Sequence, residues 1–291
     1  MFWQALITGI VTGSSYALIA MGLVVIFKAT ETPNFGGGET FMAGAYLGLV
    51  LFVFLGVSYF LTYLLSVTIV FVAGFIFQKI VLLPITRKKG AVVSMVIGTL
   101  GLSFFLKGFV RLFKVGETFR SFPPIFGTKP IIVHDIVLTP QGLAILVSSV
   151  LIMIIFFLFF HFTKIGLAMR AVSMNAKAAS LVGINIKRIY PMIWGIGFAL
   201  TAAAGVMVAP VIMIHPDMGS IALRAFAAGV IGGFTSLPGA VVGGILIGIV
   251  ENMAGVYIAS QMIVVTPFLL IMITLLVRPG GLFTSVVQKK V

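Results

Sequence analysis

Long apolar runs alternate with short polar segments along this 291-residue chain. A helix needs about twenty residues to cross the hydrocarbon core of a bilayer, and each run is close to this length or longer. The runs lack the strict alternation of apolar and polar positions that is typical of strands in a membrane barrel. The pattern predicts an all-α integral membrane protein with apolar runs at 4–27, 39–56, 59–80, 91–113, 140–162, 191–213, 222–257 and 261–278.

The run 222–257 is too long for one membrane helix and is interrupted at 234–239. We interpret it as two short helices, or a re-entrant pair, joined by a turn at Pro238 and Gly239. Irregular backbone at membrane depth is tolerated only where protein or a water-filled cavity covers it. We therefore expect one transmembrane domain over 1–291 with eight helices, or nine if both halves of the broken run cross.

Residues 164–190 form a polar, basic segment inside this apolar sequence. Asn175 is suited to cap a helix, and Gly183 is placed to end it in the left-handed conformation. Apolar residues between them have helical spacing, at Ala178, Leu181 and Val182. The segment predicts a short amphipathic surface helix over 175–183, within a cytoplasmic loop of the transmembrane domain.

Composition excludes a soluble fold, because 60% of residues are hydrophobic, 9% are charged and the mean hydropathy is +1.25. Nineteen Lys and Arg against six Asp and Glu give a formal charge of +13. These cations flank apolar runs, so they indicate how the chain is oriented in the membrane and predict some contact with anionic membrane lipid. We expect no nucleic acid as a partner. The cluster Arg87, Lys88 and Lys89 and the segment 164–190 should both be cytoplasmic.

The same rule places the N-terminus outside, together with an ordered segment at 114–139 that contains several prolines. Splitting the run 222–257 then brings the C-terminus to the cytoplasmic side. The first residues have no basic stretch and no small-residue cleavage site, so we expect a retained first helix rather than a signal peptide.

Little in the sequence points to catalysis or metal binding. The chain has no cysteine, and His134, His161 and His215 have no metal-ligand spacing. Ser14 and Ser15 have no histidine in a neighbouring motif that would support a nucleophile. We expect no enzyme activity and no metal site.

Polar and glycine residues within apolar runs are the other candidates. Glu39 suits a helix N-terminus electrostatically or a transport pathway. Glu251 has Arg224 as a possible partner, whereas Lys107 and Arg111 should extend toward an interface. Glycines at four-residue spacing permit close helix contacts, either internal or lining a pathway or subunit interface. The pathway and packing candidates are Asn34, Glu39, Thr99, Ser103, Gly229, Gly233, Gly239, Gly243 and Glu251.

Three blocks in order along the chain resemble one family. The first is the stretch 12–30, followed by Asn34-Phe35 and Gly38-Glu39. The second is Ala178-Ala179 with Ser180, Leu181, Gly183, Ile184 and Asn185 in the polar segment. The third is Ala204-Gly205, then 225–244 and Glu251. Together they resemble the permease subunit of the ATP-driven branched-chain amino acid importers, over essentially the whole chain.

The resemblance implies a multi-pass permease in the cytoplasmic membrane of a bacterium or archaeon. It also implies two cytoplasmic ATP-binding-cassette subunits, a second related permease and an extracytoplasmic substrate-binding protein. ATP would bind those ATPase subunits, and this chain would bind no cofactor. The residues implied to couple to the ATPase are Met174, Asn175, Lys177, Ala178, Ala179, Leu181 and Gly183.

Two positions depart from the family pattern. Gly37 stands where the family usually has a histidine, and Met174-Asn175 stand where an acidic pair is frequent. The cargo implied is a branched-chain amino acid, with other amino acids, small amides or urea as alternatives. A self-contained secondary transporter or channel is the other hypothesis, although it predicts buried acids and inverted repeats that are not evident.

Overall fold

The computed structural model describes residues 1–87, 92–113, 116, 118–127, 129–133 and 136–283. Lys88, Lys89 and His134 lie outside these residues. The predicted all-α class is confirmed, with two short strands, β1 (Ile131–Val133) and β2 (Ile136–Leu138), as an addition. The helices are α1 (Phe2–Thr30), α2 (Gly37–Leu49, extended by a π-helical turn at Val50–Phe54), α3 (Tyr59–Phe77, extended by a π-helical turn at Gln78–Leu82), α4 (Leu83–Arg87), α5 (Val92–Arg111), α6 (Pro140–Phe162), α7 (Lys164–Met174), α8 (Ala176–Leu181), α9 (Ile186–Val208), α10 (Ile221–Gly232, after a 3₁₀ turn at Met218–Ser220), α11 (Leu237–Tyr257) and α12 (Met262–Val277).

Among the described residues, seven helical segments are long and apolar enough to cross a membrane, and two apolar helices are shorter. The shorter ones are Met218–Gly232 and Met262–Val277. The regular part of α10 has 12 residues, which at 1.5 Å per residue spans ~18 Å and leaves much of a ~30 Å hydrocarbon core uncovered. The described residues therefore contain the eight or nine apolar segments that the runs predicted, and α10 is the shortest of them.

The predicted break in the run 222–257 is confirmed, but its position and the lengths of the two helices beside it differ from the prediction. The helices separate at Gly233, which has φ of 95°, and α11 begins at Leu237. Pro238 and Gly239 therefore lie in the first turn of α11, where the missing proline N–H needs no partner. Ser236 caps this helix by accepting a hydrogen bond from Gly239 N at 3.1 Å. With 21 residues, α11 is a full-length helix rather than a short one.

Two ends of the bundle are defined by their contacts. At the hairpin end, the Gln4 side chain at the start of α1 bonds both backbone groups of Val137 in β2, at 2.9 and 2.8 Å. Arg120 and Ile214 pair their backbones beside it, so part of the segment 114–139 is ordered as expected. The opposite end carries α7 and α8 of the polar segment 164–190, and we call it the island end. There α7 packs against α6 and α1, and the loop after α10 places Phe234 against Phe27 near the end of α1.

The chain after α12 returns to the island end. Leu282 N and Phe283 N donate hydrogen bonds to the backbone oxygens of Ile231 and Gly232 at the end of α10. The described C-terminal residues therefore lie at the same end as α7 and α8, as the splitting of the long run implied.

Close helix contacts through glycine hold the centre together. Gly9 and Gly13 of α1 face Gly244 and Gly248 of α11, and a Cβ built at Gly13 would come within 2.7 Å of Ile245 Cα. Gly243 and Gly239 of α11 likewise face the backbone of α10, and Gly229 packs beside Phe234. These placements match the packing interpretation of the glycine pairs.

Candidate functional site

The polar segment folds into two helices instead of one. α7 buries one side through Gly166, Met169 and Val172, which recur at three-residue spacing. Through this side it contacts α6, α1 and α9. Thr163 caps α7 by accepting from Gly166 N at 3.0 Å. The short helix α8 is therefore carried on an element that is packed against three long helices.

Both ends of α8 are fixed as predicted. The Asn175 side chain accepts a hydrogen bond from Ala178 N at 3.0 Å, which satisfies one free donor of the first turn. At the other end Gly183 has φ of 88°, and its N–H donates to Ser180 O. Ile184 N donates to Ala179 O, which completes the pair of bonds that ends a helix at a left-handed glycine.

The anchoring residue of α8 is not in the predicted apolar stripe. Ala179 is 3% exposed and holds the helix to the protein. Leu181 and Val182 are 88% and 78% exposed, and Met174 at the end of α7 is 86% exposed. Ala178 and Lys177 are exposed as well. We call Met174, Lys177, Ala178, Leu181 and Val182 the coupling surface.

The next helix departs in one detail from its expected start. α9 begins at Ile186, five residues before Pro191, and Asn185 occupies its N-cap position without a side-chain hydrogen bond.

A second group of candidates meets where α2 begins. Gly38 lies against Gly219 of the 3₁₀ turn before α10, and a Cβ on Gly38 would overlap the Gly219 carbonyl. The starts of α2 and of the 3₁₀–α10 segment therefore touch inside the bundle. Phe35 N lies 3.4 Å from Thr99 Oγ1, and Thr99 is ~10 Å along α5 from its first residue. Hence α2 starts well inside the length of α5 rather than at its end.

Glu39 lies in the first turn of α2, as the electrostatic argument predicted, and it also forms an ion pair. Its Oε1 is 3.3 Å from Lys107 Nζ, while Lys107 Nζ is 3.8 Å from Asp217 Oδ1. Arg111 Nη2 completes the network at 3.1 Å from Asp217 Oδ2. Lys107 and Arg111 thus bind acids instead of only extending toward an interface. The network runs from buried Glu39 to the exposed pair Arg111–Asp217.

The weaker pathway candidates lie beside this network. Asn34 is 5% exposed, and its Oδ1 accepts from Gly36 N at 3.0 Å. Thr99 is fully buried and donates to Val96 O at 2.8 Å. Ser103 is half-buried on α5, one turn before Lys107. The structure brings Asn34, Glu39 and Thr99 into one region.

Glu251 belongs to a different cluster. Its Oε1 is 3.2 Å from Arg224 Nη1, the partner that the sequence suggested. The Tyr16 hydroxyl donates to Glu251 Oε1 at 3.2 Å and accepts from Arg224 Nη1 at 2.9 Å. This cluster ties α1, α10 and α11 together.

Sequence reasoning missed Asp217 and Tyr16. Asp217 follows a proline in the short polar segment after α9, and an acid there among so few acids is a signal for pairing with Lys107 or Arg111. Tyr16 gave no signal, because it is 235 residues from Glu251 along the chain. In the described part of the chain, no three His, Asp or Glu side chains are grouped as a metal site would require.

Fold and charge pairing together define a polytopic α-helical membrane protein. Residues 5–277 match the family model for the permease component of branched-chain amino acid transport systems, and the chain belongs to this family. It is 30% identical to the high-affinity branched-chain amino acid transport system permease protein LivH of Escherichia coli, covering 97% of this chain and 95% of LivH.

Two further relatives have the same extent. The high-affinity branched-chain amino acid transport system permease protein BraD of Pseudomonas aeruginosa is 29% identical over 97% of this chain and 95% of BraD. A probable branched-chain amino acid transport permease protein LivH of Methanocaldococcus jannaschii is 28% identical over 97% and 92%. A solved chain of PsaBC from Streptococcus pneumoniae in complex with Fab matches 96% of this chain and 92% of its own length, with a TM-score of 0.50 and 15% identity. That last likeness concerns the fold alone.

Proposed function

We propose that this chain is the membrane permease subunit of an ATP-binding-cassette importer in the cytoplasmic membrane. It carries branched-chain amino acids or related small amino acids and amides. Two ATPase subunits drive it, a second related permease pairs with it, and an extracytoplasmic binding protein delivers the cargo. ATP binds the ATPase subunits only. Family membership supports the cargo class, and the relatives named above are permeases for that cargo.

The coupling surface is the observation that carries the proposal. Leu181, Val182 and Met174 expose large apolar side chains at the polar end of the bundle, next to Lys177. Exposed apolar side chains grouped within a polar rim are typical of a protein-binding surface. The basic segment indicates that this end faces the cytoplasm, where an ATPase is present. An ATPase cleft is the occupant that fits these two features.

The mechanical connection of α8 explains how binding is converted into movement. α8 is joined to α7 through the extended residue Asn175, with φ of −160° and ψ of 103°. α7 in turn packs on α6, α1 and α9. When nucleotide closes the ATPase pair, a displacement of α8 is transmitted through α7 to these three helices. Nucleotide then favours one facing of the pathway because the two facings place α8 differently.

The test is a Leu181→Asp substitution, measured as amino acid uptake and ATP hydrolysis by the reconstituted complex. Leu181 is almost fully exposed, so the aspartate leaves the fold intact while placing a charge in the ATPase contact. We expect uptake to fall at least tenfold, with the chain still inserted at its normal level. Ala179→Asp is the poorer variant, because Ala179 is buried and its loss would disturb the anchoring of α8.

Ile132→Asp is the matched control, since Ile132 is an apolar residue 67% exposed at the hairpin end. Its uptake should remain near that of the unmodified chain. Normal uptake by Leu181→Asp would overturn the coupling proposal. A chain that transports alone, without ATPase subunits, would instead support a self-contained secondary transporter or channel.

A further inference from the structure

A cavity of about 260 Å³ lies beside the cluster that ties α1, α10 and α11 together. All three residues of that cluster are part of its wall, and further polar wall residues come from α1 and α11. The polar wall residues are Thr12, Ser15, Tyr16, Arg224, Glu251 and Asn252. The rest of the wall is apolar and includes Ile145 of α6, Val208 of α9 and Ile212. An apolar pocket with a few convergent polar groups is typical of a small-molecule site.

The cavity lies toward the hairpin end of the bundle. Thr12 is ~12 Å along α1 from Gln4, which binds the hairpin. Ile212 is two residues before Ile214, whose backbone pairs with Arg120 at the same end. The positive-inside rule places the hairpin end outside the cytoplasm. A solute arriving from outside therefore reaches this cavity before it reaches the island end.

Arg224 has hydrogen-bond donors left for a ligand. Its Nη1 is 3.2 Å from Glu251 Oε1 and donates to the Tyr16 hydroxyl at 2.9 Å. Nε and Nη2 have no partner among the described residues, and the side chain is 27% exposed. The two N–H groups along one edge of a guanidinium match the two oxygens of a carboxylate. The cavity wall therefore offers a place for a carboxylate.

Two acceptors on the same wall are also without a partner in the described part of the chain: Ser15 Oγ and Asn252 Oδ1. The other amide atom, Asn252 Nδ2, donates to Gly248 O at 2.8 Å. Neither oxygen is enclosed by protein, whereas Glu251 Oε2 is enclosed and is not available to a ligand. Ser15 and Asn252 are the chain neighbours of Tyr16 and Glu251, so both oxygens lie near the negative charge of the cluster. This part of the wall is suited to an ammonium group.

We propose that this cavity binds the transported amino acid when it enters from outside. The solute's carboxylate accepts from Nε and Nη2 of Arg224, and its ammonium group donates to Ser15 Oγ and Asn252 Oδ1. Its aliphatic side chain lies against the apolar wall. This inference rests on the proposed function and adds to it the position of a solute site and the group that recognises each end of the solute.

Charge and size favour a zwitterion over a lipid. Arg224 and Glu251 neutralise each other, so the wall has no net charge while presenting free donors and free acceptors. A zwitterion is likewise neutral overall and has a carboxylate for the donors and an ammonium group for the acceptors. At ~30 Å³ per water the cavity has room for about nine waters, and leucine has a similar number of non-hydrogen atoms. A phospholipid is several times larger.

Single cysteines test the position of the site, because the chain has none of its own. Thr12→Cys places a thiol in the cavity wall, and Thr8→Cys is the control, one turn nearer the hairpin end, exposed and outside the wall. A small methanethiosulfonate reagent labels the purified complex with its partner subunits but without the external binding protein. We expect leucine to slow labelling of position 12 at least fivefold and to leave position 8 unchanged. No protection of position 12, or equal protection of both positions, would overturn the inference.

Two variants made in the Thr12→Cys chain test which group binds each end of the solute. The probes are leucine, leucinamide, which lacks the carboxylate, and 4-methylpentanoate, which lacks the amine. Arg224→Lys keeps a cation beside Glu251 but lacks the planar edge, and should raise the half-protecting concentration of leucine and 4-methylpentanoate at least fivefold while sparing leucinamide. Asn252→Leu removes an acceptor, and should weaken leucine and leucinamide while sparing 4-methylpentanoate. Opposite selectivity supports the site, whereas equal loss of all three probes, or no loss, would overturn it.

The apolar part of the wall has its own matched pair. Val208→Phe fills part of the cavity and should weaken protection by leucine more than protection by alanine, by at least fivefold. Val147→Phe adds the same bulk on α6, where Val147 is 64% exposed and outside the wall, and should change neither. Equal effects of the two variants would contradict the placement of the aliphatic side chain.

A failed solute site is distinguished from a failed importer by measuring ATP-driven leucine uptake with the same complex in liposomes, with the external binding protein added. Uptake without protection of position 12 would overturn the site and leave the importer standing. Protection of position 12 without uptake would support the site and contradict the importer.

Discussion

Three acids of the apolar bundle are paired with cations. Glu39, Asp217 and Glu251 each contact a Lys or Arg, and in each case the partner is on another helix or segment. Ionisable residues at membrane depth are costly unless they are paired, so each buried pair constrains which helices can be neighbours. Glu251 with Arg224 fixes α11 against α10, and Tyr16 adds α1.

We predict that Glu251→Ala destabilises the protein, because it leaves Arg224 partly buried without its acid. The free energy of unfolding should fall by ~1–3 kcal/mol. Replacing both residues, as Glu251→Leu with Arg224→Met, should cost less than the sum of Glu251→Leu and Arg224→Met made singly, because an apolar pair removes the unpaired charge. Thermal unfolding of the detergent-solubilised chain measures this, and additive losses would contradict the direct pairing.

The sequence suggested Arg224 as a partner because the six acids are far outnumbered by the nineteen Lys and Arg, so an acid within an apolar run such as Glu251 has cations available to pair with it. It did not predict the Glu39–Lys107 pair. A lysine between apolar residues is equally consistent with a side chain extended to the membrane surface, and only the packing of α5 beside the start of α2 decides. Residue type therefore identified the charges, whereas their partners depended on tertiary contacts.

At the scale of helices, small residues determine how closely the segments approach. Four-residue spacing predicted close contacts for Gly9 and Gly13 and for Gly244 and Gly248, and the two pairs contact each other. Spacing alone does not say which helix is the partner, because every such face is compatible with every other. The break in the run 222–257 was likewise visible, but the meeting of Gly38 with Gly219 was not.

We predict that Gly13→Ala forces α1 and α11 apart, because its Cβ would come within 2.7 Å of Ile245 Cα. Overpacking of this kind costs ~1–3 kcal/mol and outweighs the gain of up to ~1 kcal/mol from helix propensity. Gly101→Ala on α5 is the control, since its Cβ meets nothing within 4 Å and should leave stability equal or slightly raised. Equal melting temperatures for the two variants would show that the glycine contact is unimportant.

At the scale of the whole molecule, the hydrophobic pattern predicted the class and nearly all of the segments, since bilayer thickness fixes helix length. The arrangement of helices was not predictable, because lipid-facing and buried helices are equally apolar. α1 and α9 are the most buried of the long helices and α5 is the least buried, although the three have similar mean hydropathy. Hydrogen bonds show which elements lie at each end of the bundle. The prediction of which end faces the cytoplasm is based on the distribution of Lys and Arg.

That orientation is testable with single cysteines, because the chain has none of its own. Val182→Cys is at the island end and Ile132→Cys at the hairpin end, and both side chains are largely exposed. In cells that make this chain without ATPase subunits, which would cover position 182, a membrane-impermeant maleimide should label position 132 in intact cells and position 182 only after the membrane is opened. This is expected because the positive-inside rule places the basic segment on the cytoplasmic side. Ala17→Cys, which is fully buried, should be labelled in neither condition. Labelling of position 182 in intact cells would reverse the orientation and, with it, place the coupling surface where no cytoplasmic ATPase could bind.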